Sequence, residues 1–379
     1  MKIVAERDEL AQVLSVVSRG VKEKAVQQVL ETLHLKVLDG ELQVTGTDLR
    51  ITIRAKVPVE ADEPAELCVS GRLFSEFVDN LPSGPVEMVL TKNRFRCKGG
   101  TFKSSFAIVR ADQYPQALSD LEDAKWLKVE ADGLARAISC TAFCTESDIS
   151  KPFVQAVQVK KEGKKLIFRA TDGARMSRFE LPLLSGRSWP EALIPGYNLE
   201  IIHKAVLQEE EPVRLAVCRN AAVFLVGKYT FSSQLIEANY PEVDKILETK
   251  MAAKLLCPVG LLSRSLKVMN LFAVRSPGLL AQSILLDFVE AKGDFEDGRL
   301  HIQIDVPEVG KSENTIDCEI EGKVGDPVRV RTELFIEAVA SIGGFQVALE
   351  VGKPMDPIFL RSPDSDDYVH VLMPVIAKS

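Results

Sequence analysis

An amphipathic helix is predicted near the start of the chain, in the stretch Asp8-Glu9-Leu10-Ala11-Gln12-Val13-Leu14-Ser15-Val16-Val17. Its apolar side chains recur at positions i, i+3, i+4 and i+7 from Leu10, which places them on one face of a helix. The same arrangement returns around Leu134 and again around Leu262, at spacings of 124 and 128 residues. The chain therefore carries one helix pattern three times, which indicates an internal repeat.

A second amphipathic pattern follows in each copy, and short alternating segments typical of strands come after it. The helix positions are Phe74, Phe77, Val78 and Leu81 in the first copy, Leu199, Ile202, His203 and Val206 in the second, and Phe335, Ala338, Val339 and Ile342 in the third. The strand segments are residues 86–90, 213–217 and 346–351. Because two helices and a strand pair recur in the same order, we predict three copies of one unit of about 125 residues.

Each unit reads as helix, strands, helix, strands, which predicts an α+β fold: an antiparallel sheet with two helices on one face. The composition becomes polar, or loses its periodicity, near residues 123–125 and 250–253. Such segments are typical of domain boundaries. We therefore predict domains at residues 1–124, 125–250 and 251–379.

The composition of the 379 residues, 46% hydrophobic and 27% charged, is that of a soluble globular protein. No run approaches the ~20 apolar residues that span a bilayer, and the first residues do not form a secretory signal, so we expect a cytoplasmic protein without a membrane partner. The net charge of −7 argues mildly against a simple basic nucleic-acid binder. The seven cysteines are scattered, and neither they nor the four histidines have metal-ligand spacing. We expect reduced thiols, no metal and no cofactor.

Four short motifs accompany the repeat. They are Val44-Thr45-Gly46-Thr47-Asp48-Leu49, Phe168-Arg169-Ala170-Thr171-Asp172-Gly173-Ala174-Arg175-Met176, Asn239-Tyr240-Pro241-Glu242 and Val369-His370-Val371-Leu372-Met373-Pro374-Val375. Together with the repeat and the length, they resemble the bacterial DNA polymerase III β subunit family, the β sliding clamps, over essentially the whole chain. The sequence departs from the family pattern at Ala174, where histidine is common, and at Gln27-Gln28, where many members are Pro-rich.

The resemblance implies the DNA clamp fold, assembled as a head-to-tail homodimeric ring with the helices on its inner face. Such a ring encircles double-stranded DNA independently of sequence and tethers the replicative polymerase for processive synthesis, without being an enzyme. The implied partners are the DNA polymerase III catalytic subunit, the clamp loader, and other polymerases and repair proteins, which bind through short peptide motifs. A separate loader is implied because the chain has no G-x-x-x-x-G-K-[ST] phosphate loop.

The resemblance also implies a hydrophobic cleft between the second and third repeat copies. This cleft takes leucine and phenylalanine anchors of a partner peptide. Carried over by position, its walls are Val154, Thr171, Gly173, Arg175, Met176, Pro241, Ile246, Leu372, Met373, Pro374 and Val375. A glycine for close approach, an arginine at the rim and two adaptable methionines suit peptide anchors. The alternative is that the aliphatic members are plain interdomain core.

A ring that slides needs a weak, diffuse positive lining without base readout. The candidate DNA contacts are Lys22, Lys24, Arg72, Arg136, Lys151, Phe153, Lys204, Arg264 and Lys267. For each cation the alternative is a solvated helix charge, and Phe153 either stacks on a base or packs at a strand start. For the dimer interface, the family pattern indicates Lys103 and Phe106 in the first repeat copy and Leu271 and Phe272 in the third repeat copy.

Two other functions stay open. One is a three-domain peptide-binding scaffold of the same fold that does not encircle DNA. The other is a hydrolase that uses Thr171 or Asp172, although the sequence offers no positioned histidine, nucleophile elbow or metal cluster. Asp48 and Asp172 follow threonines at equivalent places in the repeat, which favours Asx-turn capping over paired catalytic carboxylates.

Overall fold

The computed structural model describes residues 1–91, 94–115, 121, 124–147, 150–275, 278–289, 298–307 and 309–376. Part of the first predicted boundary, at Asp123, lies outside them. The chain divides into two compact units. The first contains residues 1–135 and 182–236, and the second contains residues 136–181 and 237–379.

The helices predicted from the repeat are confirmed. They are α1 (Arg7–Val17), α2 (Gly71–Asp79), α3 (Ala131–Thr141), α4 (Gly196–Val206), α5 (Val259–Ala273) and α6 (Thr332–Ile342). Leu10, Leu134 and Leu262 each lie three residues after a helix start, and each is 0% exposed. The spacing therefore identified the buried face of each helix correctly, because that face is a local property of the sequence.

Strands make up most of the remaining structure. In chain order they are β1 (Lys2–Glu6), β2 (Thr32–Leu38), β3 (Glu41–Thr47), β4 (Ile51–Pro58), β5 (Glu60–Ala61), β6 (Ala65–Ser70), β7 (Pro85–Leu90), β8 (Arg94–Gly99), β9 (Phe102–Val109), β10 (Leu127–Val129), β11 (Ala156–Glu162), β12 (Lys165–Thr171), β13 (Arg175–Pro182), β14 (Ala192–Pro195), β15 (Val213–Cys218), β16 (Ala221–Val226), β17 (Tyr229–Gln234), β18 (Ala253–Pro258), β19 (Ser283–Val289), β20 (Gly298–Val306), β21 (Gly310–Gly322), β22 (Val328–Arg331), β23 (Gln346–Val351), β24 (Ile358–Ser362) and β25 (Ser365–Leu372). The predicted strands at 86–90, 213–217 and 346–351 are confirmed as β7, β15 and β23.

One antiparallel sheet of thirteen strands runs through the first unit, in the order β10-β15-β16-β17-β4-β3-β2-β6-β9-β8-β7-β1-β5. The pairing of β4 with β17 joins residues of the first repeat copy to residues of the second, with Ile53 opposite Phe231. β9 pairs with β8 over residues 102–107 and with β6 only at Ile108 and Val109. The sheet is therefore continuous across the junction of two repeat copies.

The second unit repeats this arrangement, with strand order β11-β12-β13-β25-β24-β23-β18-β21-β20-β19-β22. Here the pairing of β13 with β25 joins the second repeat copy to the third, with Met176 opposite Val371. β21 pairs with β20 over residues 310–318 and with β18 over residues 319–322. Each compact unit thus combines one of the outer predicted repeat copies with part of the predicted middle copy, through one shared strand pair.

Candidate functional site

A cavity of about 410 Å³ opens beside β13 in the second unit. Its lining residues are Phe153, Thr171, Gly173, Arg175, Met176, Pro241, Glu242, Val243, Ile246, Val371 and Met373. Seven of the eleven residues that the sequence assigned to a peptide cleft are among them: Thr171, Gly173, Arg175, Met176, Pro241, Ile246 and Met373. The structure therefore brings most of that set together around one opening.

The other four assigned residues lie outside the lining. Val154 and Leu372 are buried, and Pro374 and Val375 are half-buried beyond the end of β25. Side chains alternate between the two faces of a strand, so Val371 and Met373 face the cavity while Leu372 faces away. The same alternation, counted back from Met373, would have found Val371 in the sequence.

The turn between β12 and β13 shapes the mouth of the cavity. Asp172 Oδ1 accepts hydrogen bonds from the N–H groups of Ala174 at 2.8 Å and Arg175 at 3.0 Å, which confirms the predicted Asx turn. Asp48 Oδ1 accepts equivalent bonds in the first repeat copy. Gly173 takes a φ of +91° in this turn, and a Cβ built on it would meet no atom within 4 Å. The glycine therefore leaves the mouth open.

Arg175 is held in place by its own neighbours. Its Nε donates to Asp172 Oδ2 at 2.9 Å, its Nη1 donates to Glu337, and its Nη2 donates to the Phe143 carbonyl at 2.7 Å. The guanidinium also lies 5.0 Å from the centroid of the Phe143 ring, and the side chain is only 8% exposed. Two carboxylates thus compensate its charge, so the cavity presents mainly apolar surface.

The apolar wall is built by the segment that precedes β18. Val243 and Ile246, on the 3₁₀ helix Val243–Glu248, pack against the buried cluster of Met176, Phe359, Val369 and Val371. Asp244 anchors this segment, because its carboxylate accepts from Arg169 Nε at 2.9 Å. Arg169 is itself 4% exposed and also bonds Glu162. A fully paired arginine therefore fixes one wall of a preformed cavity.

A buried polar cluster lies in the same unit. Ser177 Oγ lies 2.8 Å from His370 Nδ1 and 3.1 Å from Cys144 Sγ. Burial lowers the pKa of His370 to about 3, with a further contribution from the Arg175 charge, and burial raises the pKa of Cys144 to about 12. The lowered pKa makes His370 a weak base and the raised pKa keeps Cys144 a protonated thiol, so this pair does not favour a thiolate nucleophile.

The residues named for a hydrolase are engaged in the turn. Thr171 Oγ1 donates to the Arg175 carbonyl at 2.6 Å and accepts from the Gly173 N–H at 3.1 Å. Asp172 accepts from two backbone N–H groups and from Arg175, as described above. Among the described residues, no group of three or more His, Cys, Asp or Glu side chains could hold a metal ion. Nor does the described part of the chain contain a helix with the length and apolarity to cross a membrane.

The candidate DNA contacts fall into three groups. Six are exposed cations whose side chains form no hydrogen bond or ion pair with another described residue: Lys22, Lys24, Lys151, Lys204, Arg264 and Lys267. Arg72 pairs with Glu23 and Glu76, each at 2.7 Å, and Arg136 Nη2 donates to the Ile342 carbonyl at 2.8 Å. Phe153 lines the cavity, with its ring centroid 6.3 Å from that of Tyr240.

The four interface candidates lie beside two strand edges. Lys103 is exposed on β9, whereas Phe106 on the same strand is 5% exposed and packs against Phe74 with ring centroids 5.6 Å apart. Leu271 is exposed on α5, and the Phe272 ring lies 3.5 Å from the position of a Cβ on Gly310, at the start of β21. The side chain of Phe106 is therefore part of the core of the first unit.

Comparison with known families identifies the chain. The DNA polymerase III beta subunit N-terminal domain matches residues 1–119, and the central domain of the same subunit matches residues 128–242. The chain belongs to the DNA polymerase III beta subunit family. A beta sliding clamp of Bacillus subtilis (strain 168) is 23% identical over 99% of both chains, and one of Salmonella typhimurium is 27% identical over 65% of this chain and 68% of its own. The solved DNA polymerase sliding clamp of Bacillus subtilis, 21% identical, superposes over 100% of both chains with a TM-score of 0.91.

Proposed function

We propose that this chain is a DNA sliding clamp. Two copies form a head-to-tail ring that encircles double-stranded DNA independently of its sequence and tethers the replicative polymerase for processive synthesis. The observation that carries the proposal is the repeated strand pairing: β4 with β17 and β13 with β25 join successive repeat copies in the same way. The repeat copies are assigned to residues 1–124, 125–250 and 251–379.

The ring follows from the two strand edges that this pairing leaves without a partner. In the described part of the chain, β9 has one partner over residues 102–107, and β21 has one over residues 310–318. They are the first-copy and third-copy counterparts of the strands that close the internal junctions. An unpaired edge strand is a template for another chain. Pairing β21 of one copy with β9 of a second copy makes a third junction of the same kind, and two such junctions close a dimer.

The interface residues follow this geometry. Lys103 and the backbone around Phe106 belong to the β9 edge, while Leu271 and Phe272 lie at the β21 edge. We assign Phe106 a supporting role, because its ring supports β9 from within the core, and we assign the exposed contact to Lys103. The interface is thus formed by backbone pairing of two edges, flanked by side chains from α5.

The DNA is held by linkage, so the lining needs only a weak positive charge. The unpaired lysines Lys22, Lys24, Lys151, Lys204 and Lys267 meet this need, because none is neutralised by a described neighbour. Arg72 contributes less, since two glutamates compensate it. The overall charge of −7 does not oppose this function, because the sign that matters is the local one facing the DNA.

The cavity beside β13 is the proposed peptide site. Its apolar wall and compensated arginine suit leucine and phenylalanine anchors of short motifs. Through it the DNA polymerase III catalytic subunit, the clamp loader, other polymerases and repair proteins would bind in the cytoplasm. Phe153 is assigned to this wall. The protein performs no reaction of its own, which agrees with the structural roles of Thr171 and Asp172.

The test is topological. After loading onto nicked circular DNA by a matching loader, the protein should remain bound at high salt and should leave when the circle is cut. Sedimentation should give a dimer of the 41.8 kDa chain. Equal retention on linear DNA with free ends would contradict encirclement and would indicate ordinary DNA binding. A monomer that still binds the peptides would favour the scaffold that does not encircle DNA.

A further inference from the structure

One position of the repeated helix makes contacts across both internal junctions. It lies two residues after the buried leucine, at Gln12 on α1, Arg136 on α3 and Arg264 on α5. Gln12 Oε1 accepts from Lys228 Nζ at 2.8 Å, and the Gln12 carbonyl accepts from the Tyr229 hydroxyl at 3.4 Å. Both partners belong to the next repeat copy. The first junction thus uses this position as a contact.

The second junction uses the same position. Arg136 Nη2 donates to the carbonyl of Ile342, at the end of α6 in the next repeat copy. Its Nη1 also lies 3.4 Å from the position of a Cβ on Gly343, the residue after the helix. A cation beside carbonyls at a helix C-terminus is favoured by the helix dipole.

The two contacted surfaces correspond to each other. In each repeat copy, the hairpin before the last strand packs against the end of the second helix. In the second copy, Gly227 of the hairpin lies against Glu209, just after α4. In the first copy, Gly99 and Gly100 lie against Leu81 and Pro82, just after α2. A third junction would therefore present the end of α2 to the same helix position.

Arg264 is the remaining member of the set. It is exposed on α5 and forms no hydrogen bond or ion pair with any described residue. Its helix lies beside β21, since Asn314 on that strand bonds Ser265. Over residues 310–318, one edge of β21 has no partner in the described part of the chain. We propose that Arg264 closes the dimer by contacting the end of α2 in a second copy of the chain, and that it is not a DNA contact. This assignment rests on the proposed ring.

The end of α2 offers suitable acceptors. Arg7 of the same chain already donates to the carbonyl groups of Val78 and Asp79. Its ion pair with the Asp79 carboxylate is long, at 3.7 Å, and the side chain of Asp79 is 75% exposed. Asn80 follows it as the C-cap of the helix. The acceptor left for a second guanidinium is the exposed Asp79 carboxylate, whose two oxygens suit the paired N–H groups of an arginine.

The same helix offers a matched control in Lys267. It occupies the repeat position of Ser15 and Ser139, whose hydroxyls donate to carbonyls of their own helices, at Gln12 and Arg136. The repeat therefore predicts no junction contact for Lys267, although Lys267, like Arg264, is exposed and forms no hydrogen bond or ion pair with a described residue. Arg264→Ala and Lys267→Ala each remove one positive charge from α5, so they change the overall charge equally.

The test compares dimer dissociation by sedimentation in a dilution series of the full chain. Loss of a charged hydrogen bond weakens one junction about ten-fold, and a dimer dissociates through two junctions, so Arg264→Ala should raise the dissociation constant about 100-fold. Lys267→Ala should leave it unchanged. Circular dichroism and thermal unfolding should show both variants folded.

Two outcomes would overturn the assignment. One is an unchanged dissociation constant for Arg264→Ala. The other is equal weakening by Lys267→Ala, which would indicate a general effect of charge. If the unaltered chain were a monomer, the proposed ring would fail before either variant was compared. A dimer insensitive to Arg264→Ala would leave the ring standing and remove only the role of this residue.

Discussion

Replacing Gly173 by leucine should block the cavity beside β13. Gly173 has a φ of +91° and open space where a Cβ would stand. The corresponding turn of the first repeat copy carries Leu49, at a φ of +73° with its side chain exposed. The turn therefore accepts leucine, at a cost of about 1–2 kcal/mol for the left-handed conformation. The new side chain would cover the mouth that the glycine leaves free.

The expected loss of affinity follows from the anchors. Burial of one leucine or phenylalanine side chain contributes about 1.5–3 kcal/mol. If the side chain introduced by Gly173→Leu excludes one anchor, the dissociation constant of the peptide should rise about 10- to 150-fold. Fluorescence anisotropy with a labelled short peptide that carries a leucine and a phenylalanine measures this directly.

Gly163 provides the matched control. It lies in the hairpin between β11 and β12, has a φ of +58°, and a Cβ there would also meet no atom within 4 Å. Gly163→Leu carries the same type of backbone strain but lies outside the cavity lining. It should lower the free energy of unfolding by a similar amount and leave peptide affinity unchanged. Equal peptide affinity of the two variants would refute the assignment of the cavity.

Two further predictions concern stability. Phe106→Ala should lower the free energy of unfolding by about 3–5 kcal/mol in denaturant titrations, because the ring packs against Phe74 in the core; a cost below about 1 kcal/mol would contradict this packing. His370, with its folded pKa lowered to about 3, stays neutral in the fold while the unfolded chain protonates near pH 6.5. Its contribution to the free energy of unfolding is therefore complete above pH 6.5 and is lost as the pH falls toward 3. At pH 5 this loss is about 2 kcal/mol. Urea unfolding at pH 7 and pH 5 should show a smaller loss for His370→Gln than for the unaltered chain, and equal losses would contradict the buried neutral histidine.

The sequence predicted the helices well because each buried face repeats over a few residues. The position of Leu10 three residues into α1 was sufficient to place Leu134 and Leu262 in their own helices. The Asx turn at Asp172 was equally local. These features depend on hydrogen bonds and packing between residues close in the chain, so pattern alone was sufficient to find them.

Features that depend on strand pairing between distant residues were harder to predict from the sequence. Alternation from Met373 indicates the face of β25 on which Val371 lies, but only the pairing of β25 with β13 places Val371 opposite Met176. Phe106 was assigned to the dimer interface from the family resemblance, and the sequence did not show that its ring packs against Phe74 of α2 in the core. The division into two compact units follows from the β4–β17 and β13–β25 pairings, whose register is set by three-dimensional packing. No local pattern contains that information.

The pairing of β13 with β25 also governs when the cavity can first exist. During synthesis from the N-terminus, the first unit has all its strands once Gln234 has emerged. The second unit must wait for β25, which comes after its other described strands in chain order. Until then β13 has an open edge beside Met176, a surface that invites association with other chains. On a nascent chain this cavity therefore cannot form until β25 has been synthesised.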